Sequence, residues 1–214
     1  MKTKTDTLRA YARLAPVIPV VTIDDARASI DLAHALLGAG LSVIEITLRT
    51  PQALDAISAI AKAVPDAVIA AGTVLHESQI REVVDAGAKF IVTPGTPVRL
   101  AEHLREAAIP VMPGCATVSE AMTLASLGFE VLKFFPAAAS GGAAWLKSVQ
   151  GPLPKLSFCP TGGIDLASAP SYLSLANVPC VGGTWIAPQE ALKNGDFARI
   201  GRLAAEASAL RKAA

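Results

Sequence analysis

Eight short β-prone runs recur along this chain, with starts 20–26 residues apart and a helical pattern after each. That spacing is one strand plus one crossover helix, the repeat of a parallel α/β architecture. The runs are Val17–Thr22, Ser42–Thr47, Ala67–Ala71, Phe90–Thr93, Pro110–Met112, Glu130–Phe135, Leu156–Cys159 and Cys180–Gly182. Expected helices fill Asp25–Leu37, Pro51–Ala63, Glu77–Ala86, Pro97–Ala107, Val118–Ser126, Ala143–Val149 and Leu166–Leu175, with a last one from about Asp196 to Lys212. A further amphipathic helix, Thr5–Leu14, precedes the first strand. Thr50, Thr96 and Thr117 read as helix starts, the last with Glu120 as a capping box. Gly38, Gly87 and Gly128 read as helix stops. Eight such units predict an α/β fold of the (β/α)₈ barrel type with an extra N-terminal helix, as a single domain over residues 1–214. The alternative is an open doubly wound sheet, but no G-x-G-x-x-G follows the first strand.

In a barrel, function sits at the C-terminal ends of the strands. The sixth run carries a lysine, Lys133, between apolar neighbours. If both faces of that strand are covered, the ammonium leaves water. Burial disfavours the charged form by up to ~3–5 pKa units in extreme cases, and a shift of about 3 units is roughly 4 kcal/mol. A chain that tolerates such a cost often needs a nucleophilic amine. An edge-strand lysine pointing at solvent is the other reading.

Alternation along a strand sorts the neighbours. Val43, Glu45, Thr47 and Arg49 share one face of the second strand, and Ile44, Ile46 and Leu48 the other. Val131, Lys133 and Phe135 share one face of the sixth. Inward Glu45 and inward Lys133 would meet near one barrel end. An amine beside a carboxylate suits Schiff-base chemistry, and it suits a buried structural ion pair equally. Arg49 offers a two-point fork for a carboxylate or phosphate, or is a surface arginine. Thr73 alone is a weak signal. Thr161-Gly162-Gly163 and Gly182-Gly183-Thr184 follow the last two strands, where many such barrels hold phosphate on backbone N–H groups. Phe135 is either a pocket wall or core, and Cys159 reads as core.

Composition narrows the partners. Apolar residues make up 52% of the 214, which suits a well-buried enzyme. The formal net charge is +1 with no basic run, so no nucleic-acid partner is expected. No long apolar run precedes Asp24, so neither a signal peptide nor a membrane span is expected. Three scattered cysteines fit a reducing cytoplasm, and the three histidines show no metal-ligand spacing.

The chain resembles the 2-keto-3-deoxy-6-phosphogluconate (KDPG) and 4-hydroxy-2-oxoglutarate (KHG) aldolase family. The resemblance covers Pro16 to Asp196. It is carried by E-I-T-L-R-T at Glu45–Thr50, A-G-T-V-L at Ala71–Leu75, K-F-F-P-A at Lys133–Ala137, F-C-P-T-G-G-I at Phe158–Ile164 and G-G-T-W at Gly182–Trp185. It implies a metal-independent, cofactor-free class I aldolase acting on a phosphorylated keto acid, and a homotrimer. By position, Lys133 matches the Schiff-base lysine and Glu45 the general acid/base. Arg49 and Thr73 match the residues that hold the pyruvyl carboxylate, Phe135 a pocket wall and Thr161 a residue near the sugar hydroxyls. Gly162, Gly163 and Thr184 match the phosphate site. The family commonly has serine where Thr184 stands, and Thr161 leans the expected substrate towards the gluconate epimer. Two rivals share the scaffold: a phosphosugar isomerase or epimerase, which needs no imine, and a non-catalytic sensor of a phosphorylated acid.

Overall fold

A computed structural model describes residues 3–210. Parallel strands form the wall: β1 (Val17–Val21), β2 (Val43–Thr47), β3 (Val68–Gly72), β4 (Phe90–Val92), β5 (Val111–Met112), β6 (Gly114–Cys115), β7 (Val131–Phe134), β8 (Ser157–Pro160) and β9 (Val181–Gly183). The ladder runs β5-β4-β3-β2-β1-β9 on one side and β6-β7-β8 on the other. A parallel bridge between Thr161 and Gly182 joins β8 to β9, and the chain itself joins β5 to β6. The result is the expected α/β barrel. Among the described residues the eight expected strands become nine segments: the fifth, expected to end at Met112, is followed beyond Pro113, which has no N–H to give the ladder, by the further segment Gly114–Cys115. Before the break that strand pairs with β4, after it with β7.

The two faces of the wall follow the alternation. Ile44, Ile46, Leu132 and Phe134 pack outward in the large core under the helices. Val43, Ala70, Phe90, Met112, Val131 and Cys159 fill the barrel interior. Helix α1 (Lys4–Tyr11) plugs the N-terminal end: Leu8 and Ala12 join the interior cluster, and Tyr11 stacks on Phe90 at 5.8 Å. Among the described residues no helix is long and apolar enough to cross a membrane.

The outer helices are α2 (Ser29–Gly38), α3 (Ala53–Ala63), α4 (Glu77–Asp85), α5 (Val98–Arg105), α6 (Val118–Ser126), α7 (Gly142–Val149), α8 (Ala169–Leu173), α9 (Gln189–Lys193) and α10 (Phe197–Ser208). The Thr117–Glu120 capping box is formed, and its two backbone N–H bonds, with Ala116 first, hold the Glu120 carboxyl below its ordinary range. Gly87 and Gly128 end their helices with positive φ as expected. Three expectations fail. Gly38 lies inside α2, and Gly40 takes the left-handed turn instead. Thr50 caps nothing; its hydroxyl goes to the Ile23 carbonyl, and α3 starts at Ala53. Thr96 caps nothing either and bonds to Gly114 O at 2.9 Å. The helix expected from Leu166 begins only at Ala169, because Asp165 and Ser168 close a side-chain turn first, with bonds of 2.7 and 2.8 Å. The five-residue α9 has no counterpart among the expected helices. The last helix ends at Ser208, and the part of its expected span beyond residue 210 lies outside the described residues.

Candidate active site

Lys133 is held on β7 by what lies on both sides of the strand. Its neighbours Leu132 and Phe134 face outward; the Phe134 ring stacks on Trp145 of α7 with centroids 4.3 Å apart, and Trp145 meets Phe158 of β8 edge-on at 5.5 Å. With those two side chains fixed beneath α7, the pleat aims Lys133 into the barrel. Its own backbone N–H donates to Pro113 O at 2.9 Å, and Phe135 N–H donates to Cys115 O at 3.0 Å. By register Lys133 lies beside Gly114 on one flank and Cys159 on the other.

Glu45 comes from the far wall, on β2 between Val20 and Ala70. The Lys133 Nζ donates to Glu45 Oε1 at 2.8 Å and to Oε2 at 3.2 Å, across 88 residues of sequence. Lys133 is 5% exposed and Glu45 4%. The interior placement and the pairing both follow the alternation argument, and the solvent-facing lysine is ruled out. Sequence reasoning misses Gly72. A Cβ there would lie 2.7 Å from Glu45 Cγ and closer still to Oε1, so this position has to be glycine for the carboxylate to reach across. A glycine inside a strand is the signal that could have found it.

The other candidates lie just beyond the C-terminal ends of their strands. The Phe135 ring centroid is 5.7 Å from Lys133 Nζ. Thr73 follows β3 with φ +59, a left-handed conformation that a β-branched residue rarely adopts and that the surrounding fold must enforce. Leu48 N–H donates to Gly72 O at 2.8 Å, which ties the loop bearing Arg49 to the loop bearing Thr73. Arg49 is exposed and has no ion-pair partner among the described residues, so its fork is free for an anion. The Thr161–Gly182 bridge sets the two glycine-rich turns side by side. Gly162 and Gly163 have φ of +99 and +71, values only glycine takes cheaply. Ala137 and Ala138 N–H donate to Thr161 and Gly162 carbonyls at 2.8 and 3.0 Å, which ties the Phe135 loop to the Thr161 loop. Thr161 is buried and Thr184 is exposed at the rim.

No cysteine is placed to compete as nucleophile. Cys159 is buried core, and burial, with the Glu120 charge adding to it, pushes the Cys115 thiol up to about 12. Among the described residues no three His, Cys, Asp or Glu side chains are grouped to hold a metal.

An enclosed amine–carboxylate pair is chemically suited to covalent work on a carbonyl compound, and the chain is similar in sequence and fold to known aldolases. The family model for KDPG and KHG aldolases matches residues 8–203. The KHG/KDPG aldolase of Escherichia coli is 46% identical over 192 residues, covering 90% of each chain. A 2-dehydro-3-deoxy-phosphogluconate aldolase from Pseudoalteromonas atlantica is 47% identical over 91% of this chain and 90% of its own. The structure also superposes on the KDPG aldolase of Legionella pneumophila, solved with pyruvate captured at low pH as a covalent carbinolamine intermediate. There the TM-score is 0.91 and the identity 44%, covering 94% of this chain and 97% of that one. The Zymomonas mobilis enzyme with 3-phosphoglycerate gives a TM-score of 0.92 at 42% identity, covering 98% of both chains. The chain belongs to the KDPG and KHG aldolase family.

Proposed function

We propose that this protein cleaves 2-keto-3-deoxy-6-phosphogluconate to pyruvate and glyceraldehyde 3-phosphate through a Schiff base on Lys133. The observation that carries the reading is the buried 2.8 Å contact between Lys133 Nζ and Glu45 Oε1 at the functional end of the barrel. Once its proton passes to the carboxylate, Nζ attacks the substrate's C2 carbonyl. The hydroxyl of the carbinolamine so formed takes that proton back from Glu45 and leaves as water, giving an iminium and restoring the carboxylate. Glu45 takes the C4 hydroxyl proton, the C3–C4 bond breaks, and its electron pair moves towards the iminium nitrogen to give an enamine. The aldehyde departs. Glu45 returns a proton to C3, and water adds at C2 to release pyruvate and free the amine. The iminium itself is the electron sink that a metal ion would otherwise supply.

The remaining residues bind. Arg49 and Thr73 hold the pyruvyl carboxylate, the former by its two-point fork. Phe135 walls the pocket, and Thr161 meets the sugar hydroxyls. Gly162, Gly163 and Thr184 take the phosphate on glycine-rich turns, which bring backbone N–H groups close to an anion. A shorter substrate, 4-hydroxy-2-oxoglutarate, uses the same amine and carboxylate without the phosphate contacts and yields pyruvate and glyoxylate; the Escherichia coli relative's name includes both substrates. One barrel domain performs all of this, in the cytoplasm and as a homotrimer. Exposed Leu75, Val98, Val118 and Met122, on three consecutive loop–helix units, support a self-association face.

Incubation with pyruvate and borohydride tests the reading. The expected product is a mass increase confined to the peptide bearing Lys133. Label on another lysine, or none with pyruvate formation undetectable in a lactate dehydrogenase coupled assay, overturns it.

A further inference from the structure

At Pro113 the barrel wall changes hands, and that is where Lys133 is hung. β5 is laddered to β4, whereas β6 is laddered to β7. The last backbone bond across the β4 side is long, Thr93 N–H to Met112 O at 3.4 Å. Beyond it, side chains take over. Gly114 N–H donates to Thr93 Oγ1 at 2.9 Å, Thr93 Oγ1 and Thr96 Oγ1 are 2.8 Å apart, and Thr96 Oγ1 donates to Gly114 O at 2.9 Å. A carbonyl only accepts, so the Thr96 proton is committed to Gly114. The Thr93 proton must then go to Thr96. The directions close a ring: Gly114 N–H to Thr93, Thr93 to Thr96, Thr96 to Gly114 O. Each hydroxyl donates once and accepts once, and such rings polarise their members cooperatively. Thr93 is fully buried. Gly114 has to lack a side chain, because a Cβ there would collide with the Pro94 backbone.

We infer that Thr93 and Thr96 are positioning residues for the Schiff-base amine. The ring anchors Gly114, whose chain neighbours Pro113 and Cys115 accept the backbone N–H groups of Lys133 and Phe135. Lys133 therefore takes its distance from Glu45 partly from two hydroxyls whose bonds go to each other and to Gly114. This rests on Lys133 being the nucleophile, as proposed above.

Thr93→Val keeps the volume and opens the ring, and Thr93→Ser keeps the ring. The Val variant is expected to lose about tenfold in kcat, with KM changed less than about threefold, and to trap pyruvate with borohydride correspondingly slowly; small displacements of a reacting group have effects of this order or larger. Thr93→Ser is expected to recover the rate to within about twofold, since the hydroxyl rather than the methyl matters. Thr96→Val, at a half-buried position where folding is safer, is expected to show the same kcat-weighted loss at about threefold. A purely structural role would lower Tm and leave kcat and trapping alone. Normal kcat and trapping in whichever Val variants fold, or a Ser variant as slow as the Val variant, overturns the inference. Failure of the wild-type protein to trap at Lys133 overturns the nucleophile assignment itself, so the two failures are distinguishable.

Discussion

Two ion pairs flank the length of β7, one at Glu130 just before the strand and one at Lys133 near its C-terminal end, and they have little in common beyond their length. At the plugged end, Glu130 meets Arg9 of α1 at 2.6 Å, with the two side chains 39% and 35% exposed. At the open end, three residues on, Lys133 meets Glu45 at 2.8 Å, with the side chains 6% and 5% exposed. Water solvates the first pair and screens it, so it is worth roughly 0.2–1 kcal/mol. The second pair has given up its hydration, a cost that a Coulombic contact of good geometry does little more than offset. Distance alone would rank them alike. Solvation separates a surface fastener from a pair that costs stability, as the proposed Schiff-base role requires, and the contrast matches the division of a barrel into a stabilising bottom and a functional top.

The sharpest way to break this comparison is to delete the buried pair. Lys133→Met is expected to cut turnover by about 10⁴-fold or more, the scale of losing a covalent nucleophile. It also strands Glu45 in the interior, at a cost of about 3–5 kcal/mol in denaturant titration. The double variant Lys133→Met/Glu45→Leu is expected to regain that stability or exceed wild type by up to ~4 kcal/mol, while remaining inactive. A double variant as unstable as the single one means the pair is structural. Glu45→Gln follows in size. The amide still accepts a bond from Nζ but cannot shuttle protons, so kcat and proton exchange at the pyruvate methyl group are expected to fall by about 10²–10⁴-fold. Unchanged exchange removes Glu45 from the chemistry.

Gly72→Ala sharpens the comparison without touching either charge. The added methyl would sit where the Glu45 side chain now lies, 2.7 Å from its Cγ and in contact with both Cδ and Oε1. The carboxylate must swing away from Nζ. Turnover is expected to drop by about 10²-fold, as for other small misplacements of a catalytic group. A rate near wild type means that the carboxylate need not stand where the structure has it.

The inner face was legible because its rule is simple. A period of two sorts Glu45 and Lys133 to one side and Ile46 and Phe134 to the other, and the long polar side chains then reach across a filled interior. The strand spacing likewise announced the barrel. What stayed hidden depends on contacts between segments far apart in sequence. Thr96 before Pro97 looks like a helix start, and only its encounter with Gly114, 18 residues on, turns it into part of the wall. Thr50 is claimed by Ile23 in the same way. The split at Pro113 could have been anticipated from the missing N–H, but not which neighbour each half would take. The strained Thr73 backbone has no sequence mark at all, since threonine at a strand end is ordinary.

The smallest effect belongs to the other end of β7. Arg9 donates to Glu130 Oε2 at 2.6 Å and, at 3.4 Å, to the Lys155 carbonyl, so its loss frees a surface carboxylate that water can solvate at once. Nothing is left buried and unpaired, in contrast to Lys133→Met. Arg9→Ala is therefore expected to lower stability by no more than about 1 kcal/mol, and about 0.5 M salt should shrink the difference by screening the wild-type pair. Its kcat should match wild type, because α1 keeps Leu8 and Ala12 in the barrel floor. A loss of several kcal/mol, insensitive to salt, would mean that Arg9 clamps the plug rather than decorating it. The two ends of the strand would then differ in chemistry but not in how much the fold depends on them.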